Sequence, residues 1–581
     1  MSEKIKLNWS KTVSSLIIGS AVGLILGMFI GGAASPAGLG AGSALIVWFA
    51  PAARVIFDLA QAVTIGTLVF TAFAMTSKTK AFRTAMNTAA LGSAVWALSG
   101  SLYILATYMN ISGSNFSIDT TFADQFWMFI TTIELGQFLA LNVLAGFLIA
   151  LLVLFVRNYL SLLLATVISL AALIPIALSG HAAGSGSHAL AVNSLGLHLL
   201  GICIWVGGLV ALAIVYKTDS RKELVIRYSS LALFGFGLVF VSGVASAQIR
   251  LGTPANLFTT GYGQVVLLKI LCLLILGIFG AVYRKKLLAE ITLKFWRLVS
   301  VEFVIFGIAV GLGTALARTA NPINDYPFGE LTPAEILTGS KLPVEPNSLS
   351  WLTSWKPDLL WSLICLALVG FYIVGVMRLR KRGDHWNVSR TISWVIGVGL
   401  LFYVTNGYFN VYEQYLFSAH MLAHMLLTMG VPLFLVPGAP VTLIARTVNK
   451  RKDDSRGVRE WVLWAVHTKY AQFIAHPLVA AIMFASSLVV FYFTPLFAWA
   501  TKEHIGHQWM IVHFVITGYL FVQALIGVDP GPVRLGYPQR IMLLIGTLAF
   551  HAFFGLALMN GETLLLPDWF GRSEEHTSEL Q

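Results

Sequence analysis

Residues 133–156, IELGQFLALNVLAGFLIALLVLFV, decide the fold class, because the run is apolar along its whole length and Glu134 is its single charged side chain. A helix needs about 20 apolar residues to cross the hydrocarbon core of a bilayer. The run therefore predicts a transmembrane helix.

Similar apolar runs recur along the chain and number about fifteen. They lie at 13–33, 54–76, 84–107, 133–156, 159–179, 192–216, 229–249, 264–283, 298–318, 357–377, 391–409, 416–436, 477–496, 507–527 and 538–559. Of the 581 residues, 57% are hydrophobic and only 11% are charged, whereas soluble domains carry about 25% charged residues. The sequence predicts an all-α, polytopic bundle of transmembrane helices and excludes a soluble enzyme.

Basic residues concentrate in every second predicted loop. With the N-terminus in the cytoplasm, the inside loops hold Lys78 to Arg83, Arg157, Lys217 to Arg227, Arg284 to Arg297, Arg378 to Arg390, Arg446 to Arg459, and Arg534 with Arg540. The outside loops hold only isolated basic residues. This is the positive-inside pattern, so it predicts a multi-pass inner-membrane protein with a cytoplasmic N-terminus. The net charge of +12 then reflects topology, and we expect no nucleic-acid partner.

The longest stretch without an apolar run, 321–356, divides the chain. We predict N-terminal transmembrane helices of unassigned role at 1–139, a membrane domain at 140–320, an extracytoplasmic linker at 321–356 and a second membrane domain at 357–571. The last segment, 572–581, is abruptly polar and resembles the translation of a sequencing adapter. We exclude it from the fold argument and expect the natural chain to continue differently after Gly571.

Histidines cluster near the predicted outer ends of spans in both parts of the chain. They are His181, His188 and His198 in the first part, and His420, His424, His507, His513 and His551 in the second. His420 and His424 are four residues apart, so they share one helix face about 6 Å apart along the axis. Met421 and Met425 repeat that spacing. Imidazole with thioether suits Cu(I), and imidazole alone suits copper, zinc or haem iron; we predict a metal site, with Met421, Met425 and Glu302 as auxiliary candidates.

Each candidate also has a structural interpretation. A single histidine inside the membrane often joins two helices by a hydrogen bond, and Met421 and Met425 have the spacing of ordinary packing residues. Glu302 follows Arg297 by five residues, which favours an ion pair as much as a translocation path. The three cysteines lie in separate apolar runs without a CxxC pair, so they indicate neither a disulfide nor a thiolate metal site.

Two sets of motifs resemble known families. The first set is His181, His198 before Trp205-Val-Gly-Gly208, Arg227-Tyr-Ser229, Thr260-Gly-Tyr-Gly263 with Lys269, and Glu302. The stretch that contains it, about 140–318, resembles the CopD-type copper-resistance membrane domain. The second set is Phe417-Ser-Ala-His-Met-Leu-Ala-His-Met-Leu-Leu427, Gly438-Ala-Pro440, His476-Pro477, Gly527-Val-Asp-Pro530 and His551-Ala-Phe-Phe-Gly555. The stretch that contains it, about 357–570, resembles the CtaG-type cytochrome c oxidase assembly factor.

These resemblances imply copper handling without group-transfer chemistry, hence no enzyme. Copper, as Cu(I), would be caught by outer-side ligands and passed inward or to a partner. The implied partners are haem–copper oxidase subunits or a periplasmic copper protein, besides membrane lipid. The alternative is a membrane cytochrome b with bis-histidine haem, using His198 with His181 or His188, and His424 with His551. A Soret band in the purified protein would favour this alternative.

Overall fold

The computed structural model describes residues 9–35, 44–179, 188–216, 222–286, 293–323, 332–531, 534–561 and 565–571. Within these ranges every regular element is a helix. Thirteen helices are long and apolar enough to cross a membrane, or fourteen if the bent pair Pro477–Tyr492 and Pro495–Lys502 forms one span. The all-α, polytopic class is confirmed, whereas the count of fifteen spans and the cytoplasmic N-terminus remain predictions.

The chain forms two compact units. Unit 1 comprises Met1–Tyr326 and Lys452–Arg456, and unit 2 comprises Pro327–Arg451 and Gly457–Gln581. The helices of unit 1 are α1 (Trp9–Ile30), α2 (Ala44–Ala74), α3 (Lys80–Ser112), α4 (Thr120–Thr132), α5 (Glu134–Phe155), α6 (Tyr159–Ala171), α7 (Leu173–Leu178), α8 (His188–Ile202), α9 (Gly208–Val215), α10 (Lys222–Leu251), α11 (Asn256–Thr259), α12 (Gly261–Lys286) and α13 (Leu293–Leu316). A π-helical turn, Cys203–Gly207, joins α8 to α9.

Unit 2 begins with two short helices of the linker and continues with the second membrane region. Its helices are α14 (Pro333–Thr338), α15 (Ser350–Thr353), α16 (Leu359–Lys381), α17 (Val388–Asn406), α18 (Tyr408–Tyr412), α19 (Phe417–Met425), α20 (Val431–Leu435), α21 (Pro440–Thr447), α22 (Val458–Val466), α23 (Lys469–Ile474), α24 (Pro477–Tyr492), α25 (Pro495–Lys502), α26 (His504–Ile526) and α27 (Tyr537–Met559). A second π-helical turn, Leu426–Gly430, joins α19 to α20.

Helix α1 packs along α13 through a row of glycines four residues apart. A Cβ at Gly19 or Gly23 would overlap the carbonyl oxygen of Val304 or Ile308, respectively. Because lipid is as apolar as a helix side chain, membrane helices associate mainly through close packing, and small residues permit it. The glycine row therefore explains why the first helix packs along the last helix of its unit.

A buried carboxylate caps one helix of unit 2. Asp529, which is 3% exposed, accepts hydrogen bonds from the backbone N–H groups of Val441 (3.1 Å) and Thr442 (2.8 Å) and from the Thr442 hydroxyl (2.6 Å). These N–H groups lie in the first turn of α21, where backbone donors have no partner within the helix. Asp529 thus caps α21 from more than eighty residues away in sequence.

Unit 1 includes a short segment from much later in the chain, Lys452–Arg456. Arg227 donates from Nη1 to the carbonyl oxygen of Ala74 (2.7 Å) and to the carboxylate of Asp453 (2.9 Å). The guanidinium of Arg456 lies 4.3 Å from the centre of the Tyr159 ring. A charge-assisted hydrogen bond and a cation–π contact therefore hold this segment.

We expect Asp453→Asn to lower the free energy of unfolding by about 1 kcal/mol at neutral pH, the net contribution of one ordinary intramolecular hydrogen bond. Partial burial raises the pKa of Asp453, but hydrogen bonds from Arg227 and Ser455 outweigh it and hold the pKa below the ordinary aspartate value. A carboxylate with a lowered pKa stabilises the fold above its unfolded pKa of about 3.9, and this contribution is lost as the pH falls through the folded value.

Thermal melting of the wild type and of Asp453→Asn over a pH series measures the difference in stability between them, which should shrink in acid. Asp454→Asn is the matched control. The Asp454 side chain is 77% exposed, and it forms an ion pair, at 3.6 Å, with Lys78, which is 82% exposed. An ion pair this exposed contributes little to stability. Equal losses from the two substitutions at neutral pH would contradict the prediction.

Candidate metal site

Helix α19 brings two histidines together inside unit 2. His420 and His424 are 2% and 0% exposed, and their ring centres lie 4.2 Å apart. The structure thus places both rings on one helix face, as their spacing predicts. Both are polar groups in an apolar interior, which is costly unless their nitrogens find partners.

His424 has a partner at each ring nitrogen. The Tyr492 hydroxyl lies 2.5 Å from Nδ1, and the thioether sulfur of Met510 lies 2.7 Å from Nε2. The rings of Phe514 and Phe491 stand 4.6 and 5.2 Å from the imidazole. His424 is therefore held by one polar group and one soft sulfur inside an aromatic shell.

The crossing of α26 with the π-helical turn Leu426–Gly430 accounts for the position of Met510. A Cβ at Gly518 would overlap the carbonyl oxygen of Thr428, so the two backbones touch there. Met510 lies about two turns before Gly518 and His424 about one turn before Thr428. The close approach at Gly518 thereby brings a methionine of α26 to a histidine of α19.

His420 has an unsatisfied ring nitrogen. Its Nε2 atom is buried and has no hydrogen-bond partner. The ring faces Phe497 at 5.4 Å and Phe570 at 6.2 Å. A buried polar atom without a partner needs an explanation, and a lone pair kept for a metal ion fits the chemistry of imidazole.

An acidic group precedes the helix of the pair. Glu413 lies in the turn between α18 and α19. His507 of α26 lies 3.2 Å from the Glu413 carboxylate, and both side chains are largely buried.

Further polar residues surround the His507–Glu413 contact, where the linker joins the membrane helices of unit 2. Gln508 accepts a hydrogen bond from the Trp361 indole (2.6 Å) and donates to the carboxylate of Asp358 (3.4 Å). Burial lowers the pKa of Lys356, and the carboxylates of Glu413 and Asp358 oppose that shift. The site is therefore flanked by charged groups on the side where the linker joins unit 2.

The other predicted ligands of the second part lie elsewhere. His513 stacks on Trp509 at 4.8 Å, and His551 places Nδ1 2.9 Å from the carbonyl oxygen of Thr547. Within 332–531 and 534–561, neither ring stacks on or hydrogen-bonds to His420 or His424. Of the five histidines predicted there, the structure places the rings of His420 and His424 against each other, whereas His507 contacts Glu413.

The predicted methionines also lie apart from the ring nitrogens. Met421 and Met425 are partly buried and pack against the apolar core of unit 2. One residue on a helix is a turn of about 100°, so they follow a different face from the histidines. Sequence reasoning named these two methionines. It missed Met510 and Glu413, and it gave no role in the site to Tyr492, which begins the CtaG-like motif Tyr492-Phe-Thr-Pro-Leu496.

In unit 1 the predicted histidines do not form a comparable cluster among the described residues. His198 places Nδ1 3.0 Å from the Ser242 hydroxyl, which fits a helix–helix hydrogen bond. His188 opens the same helix, α8, about 15 Å away along its axis. Both histidines therefore belong to one helix rather than to two facing helices. Glu302 is 7% exposed on α13, and His181 lies outside the described residues.

The donor set suits a soft ion better than a hard one. Among the described residues there is no group of three or more His, Cys, Asp or Glu side chains that could hold a metal ion. Two imidazoles and one thioether, by contrast, are ligands of the kind that Cu(I) accepts. The residues present therefore fit monovalent copper.

Three family models match the chain. Copper resistance protein D-like, N-terminal domain matches 44–190, Copper resistance protein D matches 222–316, and Cytochrome c oxidase caa3 assembly factor (CtaG) matches 370–580. The chain matches a CopD–CtaG fusion. The copper resistance protein D-like model covers much of the region 1–139, which has no assigned role in the sequence. The assembly-factor model covers the histidine pair and the residues around it, except Lys356, Asp358 and Trp361. With its apolar helices and these matches, the chain is a multi-pass bacterial membrane protein.

Curated relatives of the chain are longer than the parts they share with it. An uncharacterised protein of Mycobacterium leprae is 30% identical over 78% of this chain and 65% of its own length. One of Mycobacterium bovis is 40% identical over 43% of this chain and 39% of its own length. Copper transport protein CutJ of Bacillus subtilis is 32% identical over 26% of this chain and 29% of its own length. The chain thus spans less than two thirds of each relative, and no solved structure matches it.

Proposed function

We propose that the protein handles copper in the bacterial plasma membrane, with unit 1 in copper transport and unit 2 in copper delivery to a haem–copper oxidase. The observation that carries the proposal is the buried His420–His424 pair, with Met510 beside it, inside the stretch similar to oxidase assembly factors. Copper is the cargo, so binding and release suffice, and the proposal assigns no enzymatic reaction.

Each part of the site has a role in this proposal. His420 and His424 provide nitrogen ligands, and the aromatic shell of Phe491, Phe497 and Phe514 excludes water from the ion. Glu413 offsets the positive charge of bound copper. Neutral ligands bind a monovalent cation without trapping it in a cage of charges, which suits a protein that must pass the ion on.

We expect cells that lack this protein to assemble haem–copper oxidase with less copper when copper is scarce. The oxidase would retain its haem, because only the copper supply is affected. Copper-to-haem ratios of oxidase purified from deletion and complemented strains measure this effect. An unchanged ratio in the deletion strain at limiting copper would refute delivery to the oxidase.

The cytochrome alternative is tested on the purified protein itself. Under the copper proposal, metal analysis finds copper and the visible spectrum lacks a Soret band. A Soret band with stoichiometric haem iron would replace copper handling by electron transfer.

A further inference from the structure

In unit 2 a thioether sulfur and an imidazole nitrogen from two helices are in contact, and a second imidazole stands beside them. Sδ of Met510, from α26, lies 2.7 Å from Nε2 of His424, from α19. The His420 ring is 4.2 Å from the His424 ring, and its Nε2 is buried without a partner. We propose that Met510 is the third ligand of a three-coordinate Cu(I) site and that Tyr492 positions His424 for it. This inference rests on the proposed copper function.

The environment of Met510 differs from that of Met421 and Met425, the two methionines that the sequence pattern favours. Met510 is completely buried and touches a histidine nitrogen, whereas Met421 and Met425 are only partly buried and pack against the same apolar core from α19. Successive residues of an α-helix are rotated by about 100° around its axis, so Met421 and Met425 follow a different face of α19 from His420 and His424. The sulfur ligand therefore comes from a different helix than the nitrogen ligands.

A metal ion fits between these atoms after a small movement. Bond lengths of about 2.0 Å to nitrogen and about 2.3 Å to sulfur place the two ligands of a trigonal ion about 3.7 Å apart. Met510 must therefore withdraw by about 1 Å from its place beside His424. Its unbranched side chain has three rotatable bonds and adapts easily to such shifts.

Tyr492 determines which nitrogen of His424 is free for the metal. Its hydroxyl lies 2.5 Å from Nδ1. When Nδ1 carries the proton and donates to the Tyr492 oxygen, the lone pair of Nε2 points toward Met510. A hydrogen bond at the second ring nitrogen commonly fixes the orientation and tautomer of a metal-bound histidine. Tyr492 is thus a positioning residue.

This ligand set selects monovalent copper over zinc and divalent copper. Thioether sulfur is a soft ligand, and the three donors carry no charge. Zinc sites normally complete four ligands from Cys, His and carboxylate, and among the described residues no such set surrounds His420 and His424. The aromatic walls also keep out the water that would complete the coordination of a divalent ion.

X-ray absorption of the purified full-length protein, loaded with Cu(I) under reducing conditions, tests the third ligand. The wild type should show copper–sulfur scattering at about 2.3 Å, and Met510→Leu should lose it. Double substitution of Met421 and Met425 by Leu should retain it, as should Met377→Leu on the exposed face of α16. Sulfur scattering that survives Met510→Leu, or that disappears with Met421 and Met425, would overturn the assignment.

Competition with a chromogenic Cu(I) chelator tests the role of Tyr492. Tyr492→Phe should weaken Cu(I) binding by about 10-fold to 100-fold, the usual effect of removing a group that orients a ligand, while the sulfur scattering remains. Unchanged affinity would overturn the positioning role. A wild type that binds copper through nitrogen alone refutes only this inference, whereas a wild type that binds no copper refutes the proposed function as well.

Discussion

Replacing His420 and His424 together by alanine should abolish copper binding by unit 2 and leave the protein inserted in the membrane. The two imidazoles supply both nitrogen ligands of the proposed site, and a lone thioether does not hold the ion. Insertion depends on the apolar length of the spans, which the two substitutions do not shorten. Copper per protein, measured after purification under reducing conditions, gives the result.

The same pair of histidines has a purely structural interpretation that this double variant also tests. Loss of His424 leaves the buried Tyr492 hydroxyl without its partner, which costs about 1–3 kcal/mol. His420 has no hydrogen bond at Nε2 to lose. If the histidines only join helices, the variant should melt earlier yet keep all its copper.

His513→Ala with His551→Ala is the matched control. These two histidines lie on neighbouring spans of the same unit but have other partners, Trp509 and Thr547. We expect this variant to retain its copper. Because a ligating imidazole must be unprotonated, copper affinity of the wild type and of this control should fall together as the pH is lowered. Unchanged copper content in a folded His420→Ala, His424→Ala protein would end the site assignment.

Asp529→Ala should destabilise unit 2 by about 3 kcal/mol. The substitution removes the cap of α21 and leaves the N–H groups of Val441 and Thr442 without an acceptor in a buried position. Loss of a helix cap costs about 0.5–2 kcal/mol, and each buried donor without a partner about 1–3 kcal/mol; these contributions overlap. Thermal melting in detergent, followed by circular dichroism, measures the loss.

Two further substitutions make the Asp529 result specific. Asp529→Asn keeps one oxygen that accepts from Thr442 and should lose about half as much. Asp384→Ala removes an exposed aspartate after α16 and should change the melting temperature little. If all three proteins melt alike, the carboxylate does not hold α21 in place.

The sequence by itself determined the class of the fold. Each of the fifteen apolar runs is mostly helical, although several are divided between two helices, because apolar length is a local property of the sequence that matches the thickness of a bilayer. The spacing of His420 and His424 likewise determined that they share a face, because four residues nearly complete one helical turn. The family resemblances of both halves rested on the same local motifs and agree with the family models.

Only the tertiary structure decided which side chains surround the histidine pair. Tyr492 and Met510 lie 68 and 86 residues from His424 in sequence, and their residue types occur in many other spans. In a soluble helix, an apolar stripe shows which side is buried. In a membrane both lipid and protein interior are apolar, so hydropathy leaves the rotation of each span undetermined. That rotation is set by close contacts such as the one between Gly518 and Thr428, which exist only once the helices have packed.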